Sequence, residues 1–320
     1  MLYNLMNGHY LNGLLLTGAI VAFFATVIAT KMAFSHLPSD MGREFAVDGA
    51  KSKGKPRGAG IVFVLVFIVC TLLFVPFQPE LFFYLILIGL AMLTGFLDDA
   101  SRSPWGEYRK GLLDLLIAVF VAVVYLYYNG NIVNLAIFNA SFSLPYGVFG
   151  LLVVILVWAS INVTNCTDGV DGLSATLVMI TLGTIYVLDT LLGTKDEVAL
   201  SIPLFILVLL AYLWYNATPS LLLMGDAGSR AMGLFISIAI LKTGCPFLYL
   251  LVALVLIVDG GIGLIKVSLK RFLKISILKN TLTPLHDHVR KNKGWSNTQV
   301  VFRFSIIQLL LSFLTIYLVK

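Results

Sequence analysis

Residues Asn162 to Leu173 read Asn-Val-Thr-Asn-Cys-Thr-Asp-Gly-Val-Asp-Gly-Leu, a polar island between two apolar runs. The island holds two carboxylates (Asp168, Asp171), two amides (Asn162, Asn165) and two glycines including Gly169, with no Lys or Arg to neutralise the acids locally. Asp-Gly pairs are ordinary turn chemistry between helices. The same residues also suit Mg²⁺ and a phosphorylated ligand, because Mg²⁺ takes oxygen ligands and is held by one or two carboxylates together with ligand phosphates. Related acids occur in Gly95-Phe-Leu-Asp98-Asp99, where adjacent carboxylates repel and favour base chemistry. In Met224-Gly-Asp226-Ala-Gly-Ser229 one acid sits between glycines before an apolar run, where a helix N-terminus could face an anion. Thr283-Pro-Leu-His286-Asp-His288 contains two of the four histidines. Without clustered cysteines these imidazoles fit contact with a phosphate or sugar better than a zinc site.

The elements that must position these residues are apolar. With 59% apolar and 12% charged residues over 320 positions and a mean hydropathy of +0.96, the chain reads as an integral membrane protein. Three cysteines define no disulfide framework. The N-terminus has no Lys or Arg before Lys31, so its first apolar run reads as a retained helix. Apolar stretches near 12–33, 58–76, 81–97, 111–128, 147–161, 171–189, 198–215, 229–242, 246–266 and 301–319 predict about ten transmembrane helices in one domain covering 1–320. The fold class expected is an all-α polytopic membrane protein.

Loops 34–57, 98–110, 216–230 and 266–303 contain 18 of the 22 Lys and Arg, which by the positive-inside rule makes them cytoplasmic and puts both termini outside. The net charge of +6 is then explained by topology and attraction to anionic lipid, and gives no argument for nucleic acid. The acids of all the motifs fall on that same side. Carboxylates there can bind a metal, while basic loops such as the one from Asp48 to Gly60 attract the phosphates it bridges. Asp259-Gly-Gly in the ninth stretch predicts a helix break beside an intramembrane acid, a functional candidate by default. There is no Walker-A loop and no Gly-x-Gly-x-x-Gly fingerprint.

Together these motifs, in this order between about Asp40 and Trp295, resemble the polyprenyl-phosphate N-acetylhexosamine-1-phosphate transferases, and among them the phospho-MurNAc-pentapeptide translocase branch. The resemblance implies a multi-pass enzyme of the bacterial plasma membrane with a cytoplasmic cleft. It would transfer phospho-MurNAc-pentapeptide from a UDP-linked sugar donor to undecaprenyl phosphate among the membrane lipids, giving lipid I and UMP for peptidoglycan synthesis. It implies Mg²⁺ as cofactor, with Asp226 as principal ligand and Asn165 beside it, and Asp98 and Asp99 acting on the lipid phosphate. Lys53 and Lys110 would contact phosphate. Asn162, Asp168, Gly169 and Asp171 would line the nucleotide side, and His286 and His288 would lie over the donor. A homodimer is compatible with the resemblance. The chain departs from the usual pattern at Asp287, where a middle histidine is common, at Lys55 and Arg57, where threonines are common, and at Asp114 and Lys266, which replace glutamines.

Two other readings remain at this point. A UDP-GlcNAc transferase would use the same core. A secondary transporter would also have many spans and intramembrane acids, but near the bilayer midplane rather than at one face. The charge pattern makes a direct prediction. A cysteine at Ser52 or Asn292 should be shielded from an impermeant reagent in intact cells and one at Thr194 labelled, and the reverse labelling would invert the topology.

Overall fold

The computed structural model describes residue 2 and residues 11–42, 52–101, 103 and 105–320. Residues 48–51 of the basic loop lie outside the described residues. The chain is a bundle of helices: α1 (Leu11–Ala33), α2 (Gly60–Phe74), α3 (Pro79–Asp99), α4 (Glu107–Asn129), α5 (Tyr146–Thr167), α6 (Leu173–Leu192), α7 (Glu197–Asn216) and α8 (Gly225–Lys242). It continues through a bent pair, α9 (Pro246–Val252) and α10 (Leu254–Leu273), to α11 (Leu285–Lys293) and α12 (Asn297–Val319). The expected all-α class holds except for one antiparallel hairpin, β1 (Ile132–Leu135) with β2 (Ala140–Ser143), in register Ile132 to Ser143. Large apolar side chains such as Phe24 and Ile28 on α1, Val123 on α4, Ile155 on α5 and Phe313 on α12 face outward. Exposed in such numbers they require lipid, not water.

Each of the ten expected stretches contains helix, but they are not ten equivalent spans. Among the described residues seven helices are long and apolar enough to cross a membrane, or eight if the bent pair counts as one. At 15 residues α2 is short, and α8 carries Asp226, Arg230 and Lys242. Every residue of α8 from Gly225 to Leu241 is buried, as expected for a central helix surrounded by others. It packs against α2, α3, α5, α6 and α7.

Small residues allow that packing. A Cβ at Gly60 of α2 would strike the backbone of Gly228, one at Gly95 of α3 the carbonyl of Asp226, and one at Gly233 the backbone of Ser160 in α5. Backbones can approach this closely only where side chains are absent, and in lipid such contacts replace the hydrophobic effect as the source of helix association. Ser160 adds a hydrogen bond from its Oγ to the Gly233 carbonyl at 2.7 Å. At the far end of α8, the ammonium of Lys242 donates to Glu80 at 2.7 Å and to Asn129 at 2.6 Å, and lies 3.0 Å from Asp196. These partners belong to α3, α4 and the N-cap of α7, so the central helix is held at both ends.

At Asp259-Gly-Gly261, where a helix break was expected, α10 runs on through a π-helical turn over Ile257–Gly261, and the 70° bend between α9 and α10 falls at Ala253 instead. Gly260 sits against the Val163 carbonyl and Thr167 of α5 with no space for a Cβ. That contact brings the bent helix to the polar island.

Gly95→Ala should destabilise the protein by about 1–3 kcal/mol, the usual cost of overpacking. Gly183→Ala, whose Cβ would meet nothing within 4 Å, should leave the detergent unfolding temperature unchanged. Equal behaviour of the two variants would contradict the glycine-contact account.

Candidate active site

The site begins where α3 ends and α8 starts. Gly225 adopts φ +67°, which favours glycine, and a Cβ there would run into the Asp99 carboxylate. Asp99 therefore reaches the helix terminus directly: its Oδ1 accepts the N–H of Asp226 at 3.1 Å and its Oδ2 that of Ala227 at 3.1 Å. This is anion binding at a helix N-terminus, with the anion supplied by a neighbouring helix. Asp98 accepts the N–H of Trp105 at 2.7 Å. Carboxylate oxygens of Asp98, Asp99 and Asp226 all lie within 4.8 Å of one another.

Two cations hold this negative cluster together. Lys110, in the first turn of α4, lies 3.0 Å from Asp226 Oδ2 and contacts Asp98 as well. Arg57 spreads its guanidinium over three acids, at 2.8 Å from Asp99, 3.1 Å from Asp40 and 3.4 Å from Asp226. Asp40 is itself fixed by the N–H of Gly42 and the hydroxyl of Ser52. The strap bearing Arg57 is anchored by backbone bonds from Ala59 to Leu223 and from Gly60 to Met224, which set it beside the start of α8. Burial opposes the Arg57 charge, but Asp99, Asp226 and Asp40 more than offset it, so the guanidinium holds its proton more tightly than a free arginine does. Its charge is permanent at any working pH.

The donor set fits a hard divalent cation. Clustered carboxylate oxygens are the ligands Mg²⁺ prefers, and four carboxylates facing two cations leave two negative charges. Asn165 comes to the same helix end, where its Oδ1 accepts the Ser229 hydroxyl at 2.9 Å.

A second group lies around the island. His286 is buried with its N–H 2.7 Å and its Nδ1 2.8 Å from the two oxygens of Asp259. A carboxylate at Nδ1 sets the tautomer and leaves Nε2 as the reactive nitrogen. That Nε2 faces Gly169, where a Cβ would collide with it. Asp171 accepts the N–H of Ser220 at 3.1 Å, and the Ser220 hydroxyl accepts from Lys55 at 2.9 Å. Asp168 ends α5 as its C-cap. Asn162 donates to Asp114 and to the Trp158 carbonyl. His288 Nδ1 accepts the Leu282 N–H at 3.2 Å and lies 2.9 Å from Asn292. Beside the island, α5, α9 and α10 enclose an apolar cavity of about 650 Å³ lined by residues including Val153, Trp158, Val163, Tyr249 and Leu264.

The structure thus joins Asp98, Asp99, Asp226 and Lys110 in one cluster and gathers Asn165 beside it, with Gly169 and His286 in contact nearby. Lys53 lies exposed on the strap, while Arg57, four residues further on, is the strap's cation within the carboxylates. Arg57 and Asp40 were not among the expected site residues. The signal for Arg57 was the acid excess, which demanded a cation without saying which one, and Asp40 carried no local signal. Arg230, counted above with a basic loop, is instead buried inside α8.

A family model described as glycosyl transferase family 4 matches residues 81–244. The chain belongs to this family. Among its relatives is a Treponema pallidum protein named phospho-N-acetylmuramoyl-pentapeptide-transferase, 43% identical over 313 residues, covering 91% of this chain and 85% of the relative. A Borrelia garinii protein of the same name is 31% identical over 304 residues, covering 85% and 83%. One from Dictyoglomus turgidum is 29% identical over 307 residues, covering 93% and 96%. The family 4 match includes Asp98, Asp99, Lys110, the island and Asp226. Asp40, Arg57, Asp259 and His286 lie outside it and complete the site from either side.

Arg57→Lys keeps the charge but loses the planar fork that spans three acids. It should fold and lose roughly tenfold or more in turnover at every pH tested, since the misplaced group is not one that titrates. Wild-type turnover would remove Arg57 from the site.

Proposed function

We propose that this protein is a phospho-N-acetylmuramoyl-pentapeptide transferase of a bacterial plasma membrane, which moves phospho-MurNAc-pentapeptide from its UDP-linked donor to undecaprenyl phosphate and forms lipid I and UMP. One observation carries the reading: the oxygens of Asp98, Asp99 and Asp226 converge within 4.8 Å, flanked by Lys110 and Arg57. The names of the relatives support the same activity.

The reaction brings two anions together, so the site must lower their repulsion. In this reading Asp226, Asp98 and Asp99 hold Mg²⁺ with Asn165 beside them. Mg²⁺ held by these residues would lower the charge repulsion at the donor pyrophosphate and favour the departure of UMP. Lys110, reached by both Asp98 and Asp226, supplies a positive charge for phosphate at the same place. Asp99 has both oxygens engaged by Arg57 and two backbone N–H groups, so it orients the cluster. Asp98, whose oxygens meet one backbone N–H and the Lys110 ammonium, acts with Asp99 on the acceptor phosphate through its charge. His286, oriented by Asp259, offers Nε2 to the donor beside Gly169. Lys53 and His288 complete the phosphate and sugar contacts, and Asp168 and Asp171 line the nucleotide side. The apolar cavity beside α5 has the chemistry that a polyprenyl chain requires. By the positive-inside rule the basic loops support a cytoplasmic position for this face, where a nucleotide-linked donor is found.

Purified protein with Mg²⁺ and undecaprenyl phosphate should release UMP from UDP-MurNAc-pentapeptide and negligibly from UDP-GlcNAc. Preference for UDP-GlcNAc would reassign the donor, and no UMP from either in folded protein would refute the transferase reading. Asp226→Asn should remain folded and lose at least about 100-fold in turnover. Near-normal turnover at limiting Mg²⁺ would remove Asp226 from the metal.

A further inference from the structure

One helical turn below the carboxylate cluster lies a second ion pair. Lys110 and Asp114 are four residues apart on α4, and Asp226 and Arg230 four apart on α8, so each pair shares a helix face. The two helices are thus joined by two rungs of opposite polarity, Lys110 to Asp226 and Asp114 to Arg230. In the lower rung Arg230 Nε donates to Asp114 Oδ1 at 2.9 Å and Nη2 contacts the same oxygen. The two side chains are 1% and 3% exposed, and Arg230 Nη1 is buried without a partner. Packing stability alone does not favour this arrangement. A buried pair can often be replaced by apolar residues without loss, and an unpaired buried donor adds a further cost.

Its use lies on the other side of Asp114. The Asp114 Oδ2 accepts Nδ2 of Asn162 at 3.4 Å, and the same nitrogen donates to the Trp158 carbonyl at 2.9 Å. With its Oδ1 taken by Arg230, Asp114 turns Oδ2 to Asn162 as an acceptor, and the carbonyl can only accept, so the amide nitrogen and not the amide oxygen faces both. Asn162 is partly exposed, and its Oδ1 is left as an acceptor. A neutral amide at position 114 could bond either end of Asn162 and would leave that choice to the Trp158 carbonyl alone.

We propose that Asp114 and Arg230 are positioning residues for the sugar-nucleotide donor: Arg230 holds Asp114 in place, and Asp114 fixes Asn162 so that it presents only an acceptor, to an N–H or O–H of the ligand. This rests on the reading of the cleft as a sugar-nucleotide site. It assigns to the pair a role in binding and none in the chemical step.

The test is a cycle of Asp114→Leu/Arg230→Met, Asn162→Ala and their combination, with binding of UDP-MurNAc-pentapeptide measured by calorimetry and UMP release in parallel. The apolar replacement should fold, weaken donor binding about fivefold, the worth of one hydrogen bond, and leave turnover at saturating donor nearly unchanged. Asn162→Ala should weaken binding to a similar degree, and adding the pair replacement to it should cost nothing more. Wild-type affinity in the folded pair variant, or the same further loss in the Asn162→Ala background, would overturn the proposal. So would wild-type affinity in Asn162→Ala, a measurement available even if the pair variant does not fold. Failure of the wild-type protein itself to bind the donor or release UMP would instead overturn the transferase reading, and this proposal with it.

Discussion

Backbone contact between α3 and α8 forces like charges together. Because Gly95 lies against the Asp226 carbonyl and Gly225 against the Asp99 carboxylate, the acids cannot separate without parting the helices. Two carboxylates within 4.8 Å repel by at least about 3 kcal/mol at an effective dielectric constant of about 20. That exceeds the ~0–1 kcal/mol of an ordinary surface ion pair, so scattered lysines nearby would not offset it. Arg57 and Lys110 do so by direct contact, each bridging acids from separate helices. The excess of negative charge that remains is the property a divalent cation would complete.

The rest of the fold serves that contact. The central helix is buried along its length and held at its far end by Lys242 against Glu80, Asn129 and Asp196, so α3 and α4 touch α8 at both of its ends. The bend between α9 and α10 brings Asp259 to His286 and lets Gly260 press on α5.

The acid motifs were legible because each is a short local signal: Asp98-Asp99 at a helix end, Asp226 between glycines, the island between apolar runs. Asp259-Gly-Gly marked an irregular turn for the same reason, but the bend itself falls six residues earlier at Ala253, where no glycine or acid signals it. What sequence did not reveal were the partners. Arg57 meets Asp226 across 169 positions, and Arg230 meets Asp114 across 116. Such pairings follow from helix packing and leave no periodicity. A charge count also treated Arg230 as a loop residue because apolar windows locate helix ends poorly when the helix opens with glycines and an acid. Two of the ten stretches do not stand out as spans by length and apolarity among the described residues, α2 because it is short and α8 because it carries Asp226, Arg230 and Lys242 into the bundle.

The account stands or falls on metal binding at the junction of α3 and α8. Titration of the purified protein with Mn²⁺ as a spectroscopic substitute for Mg²⁺, followed by electron paramagnetic resonance, measures it without reference to turnover. The account predicts a site of one ion per chain, weakened at least about tenfold in Asp226→Asn. Equal affinity in the wild-type and variant proteins would contradict it.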